Sequence, residues 1–273
     1  MTTATVDTTF VDTRLGRQQV RRAGSGAPIV YLHSAAGEGE GLPLLPELAR
    51  YGTVIAPMFP GFGESEGIEQ VDGMEDAVFH LLDLFESLDL KRPAPVVGLS
   101  LGGWMAAELA TRYPEKLSKL VLINPAGLYI PGANIKDIFG RTPAEMASDL
   151  FADAKHPVAQ LMQQMSKLIT EGGGANIPFE LIKPQIQTMT AVARIGWNPY
   201  LHNPKLQSRL WRIAAPTLVI RGDKDSLIPL AHSETYAREI AGAKLVKMEN
   251  VAHMIPLEEP AKLADLIGEF IGA

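Results

Sequence analysis

The chain has 273 residues, 46% of them hydrophobic and 21% charged, enough for one large domain with a sizeable core. A formal charge of −6 with no block of like charges argues against a nucleic-acid surface or a polybasic membrane patch. The absence of cysteine removes disulfides, thiol nucleophiles and Cys-ligated metals, and no two of the six histidines share a helix at metal-ligand spacing. No apolar run reaches the length of a membrane span. The polar, Thr-rich Met1–Phe10 lacks the charged and apolar regions of a signal peptide, so a cytoplasmic location is expected.

In chain order, two short strands are predicted at Thr9–Thr13 and Gln18–Arg22 around a turn at Leu15–Gly16. The apolar run Pro28–Leu32 reads as a buried strand, Leu42–Arg50 as a short helix and Val54–Pro57 as the next strand. Val78, Leu81, Leu82, Phe85 and Leu88 recur at helical spacing, which predicts an amphipathic helix over Met74–Leu88. Strand Pro95–Leu99, helix Leu101–Tyr113 and strand Leu117–Ile123 follow. The rhythm returns late, with strand Thr217–Ile220, helix Ala231–Ala241, strand Lys244–Met248 and a terminal helix Leu257–Ile271. Strands alternating with helices predict an α/β fold, a mostly parallel sheet with helices on both faces.

Between these halves the pattern is helical and interrupted by the glycine run Gly172–Gly174. It predicts a helical cap over residues 128–206, inserted into a core domain formed by 1–127 and 207–273, over the sheet edge where ligands bind. Its apolar residues Met146, Leu161, Met162, Met165, Leu168, Ile169, Phe179 and Met189 either pack the cap's own core or line an adaptable apolar pocket. Met162 and Met165 are the candidates for the second role.

The pattern G-x-S-x-G occurs twice, around Ser65 and around Ser100. A nucleophile elbow needs a buried strand before the serine and a helix after it, with small residues so that the turn is sharp. Ser100 has Pro95–Val97 before it and Gly102, Gly103, Ala106, Ala107 and Ala110 after it. Ser65 sits in a glycine loop between Glu64 and Glu66, whose charges would oppose a developing oxyanion. Ser100 is therefore the candidate nucleophile, the bland alternative being a serine that caps a helix.

A serine hydroxyl needs a base. His253, in the loop after strand Lys244–Met248, lies on the same sheet edge as Ser100. His80 reads as a helix-packing residue, His156 and His202 fall in the cap, and His232 is expected to be exposed. The base needs an acid, and Asp225 and Asp223 both follow strand Thr217–Ile220. The order Ser…Asp…His, each after a strand, is one in which such triads occur. One oxyanion donor is expected from the N–H of Leu101. The other should come from the loop His33–Gly37, with Ala35 favoured over Ala36 and His33 orienting the loop.

With these residues in place, the chain resembles the capped, serine-nucleophile members of the α/β-hydrolase superfamily over nearly its whole length. The matching segments are Tyr31–His33 with Gly37, Pro60–Ser65, Gly98–Gly103, Pro216–Ile220 leading to Gly222–Asp225, and Ala252–His253 through Glu259–Pro260. The resemblance implies that the acid lies three residues past Gly222, which selects Asp225, and that Ser65 belongs to a structural turn. It departs at Ser34, where such proteins commonly have glycine, and at Met58, where they often have aspartate. A serine at the elbow argues against dehalogenase and epoxide-hydrolase chemistry. The expectation is a cofactor-free, metal-free esterase acting on a small, largely apolar substrate, with Ser34, Ala36 and Met254 as further substrate contacts. The alternatives are a meta-cleavage C–C hydrolase, against which Met254 counts because such enzymes often carry Trp after the histidine, a perhydrolase, or a small-molecule receptor.

Overall fold

The computed structural model describes residues 4–38, 41–90, 92–171 and 178–272; Gly172–Gly174 lies outside them. The first half contains strands β1 (Val6–Thr13), β2 (Gly16–Ala23) and β3 (Pro28–Leu32), helix α1 (Leu44–Leu48) and strand β4 (Thr53–Pro57). It continues with α2 (Met74–Ser87), β5 (Ala94–Leu99), α3 (Leu101–Arg112) and β6 (Leu117–Ile123). Helices α4 (Pro143–Leu150), α5 (Pro157–Glu171) and α6 (Phe179–Gly196) come next. The chain then returns to the sheet with β7 (Thr217–Gly222), α7 (Leu230–Glu239), β8 (Lys244–Met248), α8 (Ile255–Glu258) and α9 (Pro260–Ile271).

The eight strands form one sheet in the order β1-β2-β4-β3-β5-β6-β7-β8. β1, β2 and β4 pair antiparallel, and every pairing from β4 to β8 is parallel. The central strands are buried on both faces, which is why they read as continuous apolar runs rather than alternating ones. Among the helices, α1 packs with α9, α2 with α3 and α4 with α5. Because β3, β5, β6, β7 and β8 run the same way, their C-terminal loops emerge along one edge. The chain passes from β3 outward to β4 and then back across to β5, so the loops after β3 and β5 diverge and leave a crevice between them.

The predicted strands appear within a few residues of their expected bounds. Two helices differ. Leu42–Arg50 is shorter, Leu44–Leu48 followed by a 3₁₀ turn at Ala49–Tyr51. The terminal helix is split, because Pro260 lacks the N–H that would continue α8 and opens α9 instead.

The segment between β6 and β7 is helical, and its two ends meet each other and α3. Gly127 and His202 form an isolated bridge, and Asn203 Nδ2 donates to Glu108 Oε1 at 2.7 Å on α3. The same carboxylate accepts Trp104 Nε1 at 3.1 Å and pairs with Arg112 at 3.2 Å, which offsets its complete burial. The expectation that the segment's apolar residues are enclosed is corrected: Leu161 is 57% exposed, Leu168 60%, Ile169 40% and Phe179 60%. Helix α5 turns Ala159 and Ser166 inward instead, so its apolar stripe faces out. Among the described residues, no helix is long and apolar enough to cross a membrane.

His232, expected at the surface, is buried, with Nε2 2.8 Å from Ala133 O. The correction follows from the insertion, whose first residues return over the start of α7. His80 packs inside as expected, edge-on to Phe59 with ring centroids 5.3 Å apart. Neither of its ring nitrogens has a hydrogen-bond partner among the described residues, and burial depresses its pKa from 6.5 to about 4. As pH falls, the unfolded chain takes up this proton first, so stability is lost between pH 6.5 and about 4, by up to roughly 3 kcal/mol. His80→Leu should therefore flatten the dependence of the melting temperature on pH across that window. An unchanged slope would mean that another group carries it.

Candidate active site

The Ser100 loop is a forced turn. β5 ends at Leu99 and α3 begins at Leu101, so one residue must reverse the chain. Ser100 does so at φ 55 and ψ −110, a conformation costly for any residue with a Cβ. Two close approaches make it possible. A Cβ on Gly98 would lie 2.4 Å from Gly102 O, and one on Gly102 would lie 2.2 Å from Leu32 O. Those contacts explain the glycines on either side of the serine. The turn is bound on both sides, to the end of β6 and to the loop after it, with Ser100 N–H on Ile123 O at 2.9 Å and Ala126 N–H on Ser100 O at 3.1 Å. No hydrogen bond from the described residues engages the Ser100 hydroxyl, and no side-chain cap forms at α3.

Ser65 is placed differently. Its hydroxyl donates to Met58 O at 2.7 Å and accepts Gln19 N–H at 3.0 Å, pinning the 58–65 turn to β2.

His253 and Asp225 come together at the same edge, Nδ1 to Oδ2 at 2.9 Å, with both side chains buried. The carboxylate is fully engaged. Oδ1 accepts the N–H groups of Leu227 and Ile228 at 2.9 and 3.1 Å, and Oδ2 also accepts Arg221 Nη1 at 3.1 Å. Burial alone would raise the Asp225 pKa, but His253, Arg221 and the Ile228 N–H outweigh it and hold the carboxyl below its ordinary value. Asp225 is thus an anion, an acceptor that calls for a proton on His253 Nδ1. Asp223 instead pairs with Lys224 at 3.2 Å, away from the histidine.

The loop after β3 is organised by a buried carboxylate. Glu38 accepts the Ser34 N–H on both oxygens, at 3.0 and 3.1 Å. Ser34 Oγ accepts the Ala36 N–H at 3.0 Å, and Ser34 O accepts the Gly37 N–H at 3.1 Å. Ala35 is left with the one N–H of residues 34–37 that has no partner among the described residues. Ala36, the alternative to it, is engaged. His33 Nε2 accepts Phe59 N–H at 3.0 Å, so its Nδ1 carries the proton and donates to Ser34 O at 2.7 Å. Burial lowers the His33 pKa, partly offset by Glu38, and both ring nitrogens are occupied as supports for the loop.

Met254 follows His253 and is buried, with its N–H on Leu150 O at 3.0 Å. Met162 and Met165 lie on α5, both half-buried, and Met162 packs against the main core. Sequence reasoning passed over Glu38, Arg221 and Glu258. Glu258 accepts Ala152 N–H and Ala252 N–H, both at 2.7 Å, joining the inserted segment to the His253 loop. Each is a charged residue beside a run of small or apolar ones, the only trace such a role leaves in a sequence.

Comparison with known proteins agrees with this architecture. A family model described as alpha/beta hydrolase fold matches residues 27–260. A 2-hydroxymuconate semialdehyde hydrolase from Pseudomonas sp. is 31% identical over 268 residues, covering 93% of this chain and 90% of that protein. A monoacylglycerol lipase from Xenopus laevis is 30% identical over 203 residues, 69% of this chain and 58% of the lipase. Among solved structures, the 2-hydroxy-6-oxo-6-phenylhexa-2,4-dienoate hydrolase of a Rhodococcus species superposes with a TM-score of 0.75 at 23% identity, covering 98% of this chain and 100% of the other.

The strained elbow can be tested by stability alone. Ser100→Gly should raise unfolding stability by about 1 kcal/mol, a few degrees in melting temperature, because glycine adopts this backbone without a Cβ clash. Ser100→Ala keeps the Cβ and should melt close to the wild type. A Ser100→Gly protein no more stable than Ser100→Ala would remove strain from the account.

Proposed function

The chain belongs to the α/β-hydrolase fold family, and on that premise we propose that Ser100, His253 and Asp225 act as a triad in acyl transfer. The observation that carries the reading is the buried His253–Asp225 pair at 2.9 Å, on the sheet edge where the Ser100 elbow emerges. His253 Nε2 takes the proton of Ser100 Oγ as the oxygen attacks a substrate carbonyl carbon. The N–H groups of Leu101 and Ala35 are the proposed donors to the oxyanion. Collapse of the tetrahedral adduct breaks the bond to the leaving group, which takes the proton back from His253, and water then releases the acyl group by the same route. The inserted segment serves as the cap, with Ser34, Ala36 and Met254 at the mouth of the site.

The bond we propose is a carbon–carbon bond next to a ketone or aldehyde carbonyl in a conjugated 2-hydroxy-oxo-dienoate. Support comes from the relative named for that type of substrate, which matches over nine-tenths of both chains. There the leaving group is a carbanion stabilised by conjugation, and the proton from His253 ends on carbon. A second reading, ester hydrolysis, is favoured by one feature of this site. The residue after the base is Met254, a buried and adaptable apolar side chain that suits an apolar acyl chain.

Two assays separate the readings. Wild type should bleach a coloured 2-hydroxy-6-oxo-dienoate with a higher kcat/KM than it shows on p-nitrophenyl esters of any acyl length. The reverse ranking would favour the ester. Ser100→Ala should lower kcat about 10⁶-fold on either substrate. Asp225→Asn should cost roughly 10⁴-fold through the wrong histidine tautomer; normal turnover in it would remove Asp225 from the triad.

A further inference from the structure

Asn124 is the residue after β6, fully buried, and held at φ 41, on the left-handed side. Its side-chain amide uses both ends. Nδ2 donates to Ala252 O at 3.2 Å and to His253 O at 2.9 Å, and Oδ1 accepts Gly222 N–H at 3.1 Å. Two carbonyls on one side and an N–H on the other permit one orientation of the amide, so its donor and acceptor assignment is forced. The backbone joins in, with Asn124 N–H on Ile220 O at 2.9 Å.

These bonds join two of the three loops of the candidate triad. The carbonyls before and after the His253 Cα are both anchored on one amide, which restricts the backbone torsions that aim the imidazole. The Gly222 N–H fixes the end of β7 just before Asp225. The neighbours Ile123 and Ala126 hold the Ser100 peptide from either side. Only β6 is flanked in the sheet by both β5, which carries Ser100, and β7, which carries Asp225.

We infer that Asn124 is a positioning residue for the general base: its amide sets the His253 loop against the end of β7 so that the imidazole meets Asp225 and Ser100 together. The inference rests on the triad reading above. It goes beyond that reading in assigning the alignment of the base to a side chain outside the triad and on a different strand from any of its members. Asn suits the task because it offers two donors and an acceptor on a short stem without charge. Aspartate would set a carboxylate oxygen, an acceptor, against the two carbonyl oxygens of Ala252 and His253.

A fluorophosphonate, which labels an activated serine without requiring the natural substrate, tests this. Saturation of the inactivation rate yields kinact and KI separately. Asn124→Gly, which removes the amide and accepts the positive φ, should lower kinact about 10- to 100-fold and leave KI within about threefold. In proton NMR, the low-field Nδ1–H resonance of the His253–Asp225 bond should broaden or disappear. Leu120→Val, in the middle of β6, serves as the control for simple destabilisation. It should lower the melting temperature and leave kinact and the low-field proton unchanged.

Asn124→Asp is the second variant. It preserves shape and the acceptor for Gly222, and at pH 8 it should show the same fall in kinact, so the test stands even if the glycine variant does not fold. A folded variant of either kind with wild-type kinact and an intact low-field proton overturns the positioning role. Loss of kinact in Leu120→Val to the same extent also overturns it, because destabilisation alone would then suffice. Wild type that is not labelled at Ser100 overturns the triad reading itself, a result distinguishable from the others because it precedes any variant.

Discussion

The site depends first on a steric constraint, the reversal of the chain at Ser100. A parallel strand must pass into a helix that packs back on the sheet within a single residue, and the backbone at φ 55 and ψ −110 is the outcome. Close approach of Gly98 to Gly102, and of Gly102 to the end of β3, brings the start of α3 against the sheet. The same approach leaves the Ser100 hydroxyl outside any capping bond. Strain here is compatible with folding because the end of β6 and the loop after it hold Ser100 on both sides and the surrounding core is dense and apolar.

Around this turn the protein buries charge and compensates it locally. Asp225, Glu38 and Glu108 are all buried carboxylates. Asp225 is met by two backbone N–H groups, an arginine and a histidine; Glu38 accepts the Ser34 N–H on both oxygens; Glu108 meets an indole, an amide and an arginine. Each would be costly if unpaired, and each ties together elements remote in sequence. The arrangement trades little stability for a defined geometry at the sheet edge, and it keeps Asp225 ionised beside the histidine.

The inserted segment is bound into this edge rather than resting on it. Leu150 O takes the Met254 N–H, Glu258 spans Ala152 and Ala252, and Ser226 Oγ donates to Asp149 at 2.8 Å. The C-terminal end of α4 thereby contacts the residues adjoining both His253 and Asp225. Farther out, α5 and α6 turn Leu161, Leu168, Phe179 and Ile186 toward solvent. Tight attachment at one end and exposed apolar residues at the other are the two characters of this segment.

What the sequence determined by itself was whatever depends on local pattern. Apolar runs marked the strands because a parallel sheet covered on both faces has no polar side, and small residues around Ser100 marked the elbow because nothing larger fits. Asp225, His253 and Ala35 could be named as candidates because each sits a short distance beyond a strand end, and only the family resemblance separated Asp225 from Asp223. The burial of His232, the outward apolar face of α5 and the break before Pro260 were misread or unread. Helical periodicity states that a helix has an apolar stripe but not which way the stripe faces, and His232 is covered by a segment about a hundred residues away. Asn124, Glu38 and Glu258 were beyond reach on the same grounds. Their partners lie on other elements, so only the tertiary structure, by bringing strand ends to a common edge, decided what these polar side chains bind.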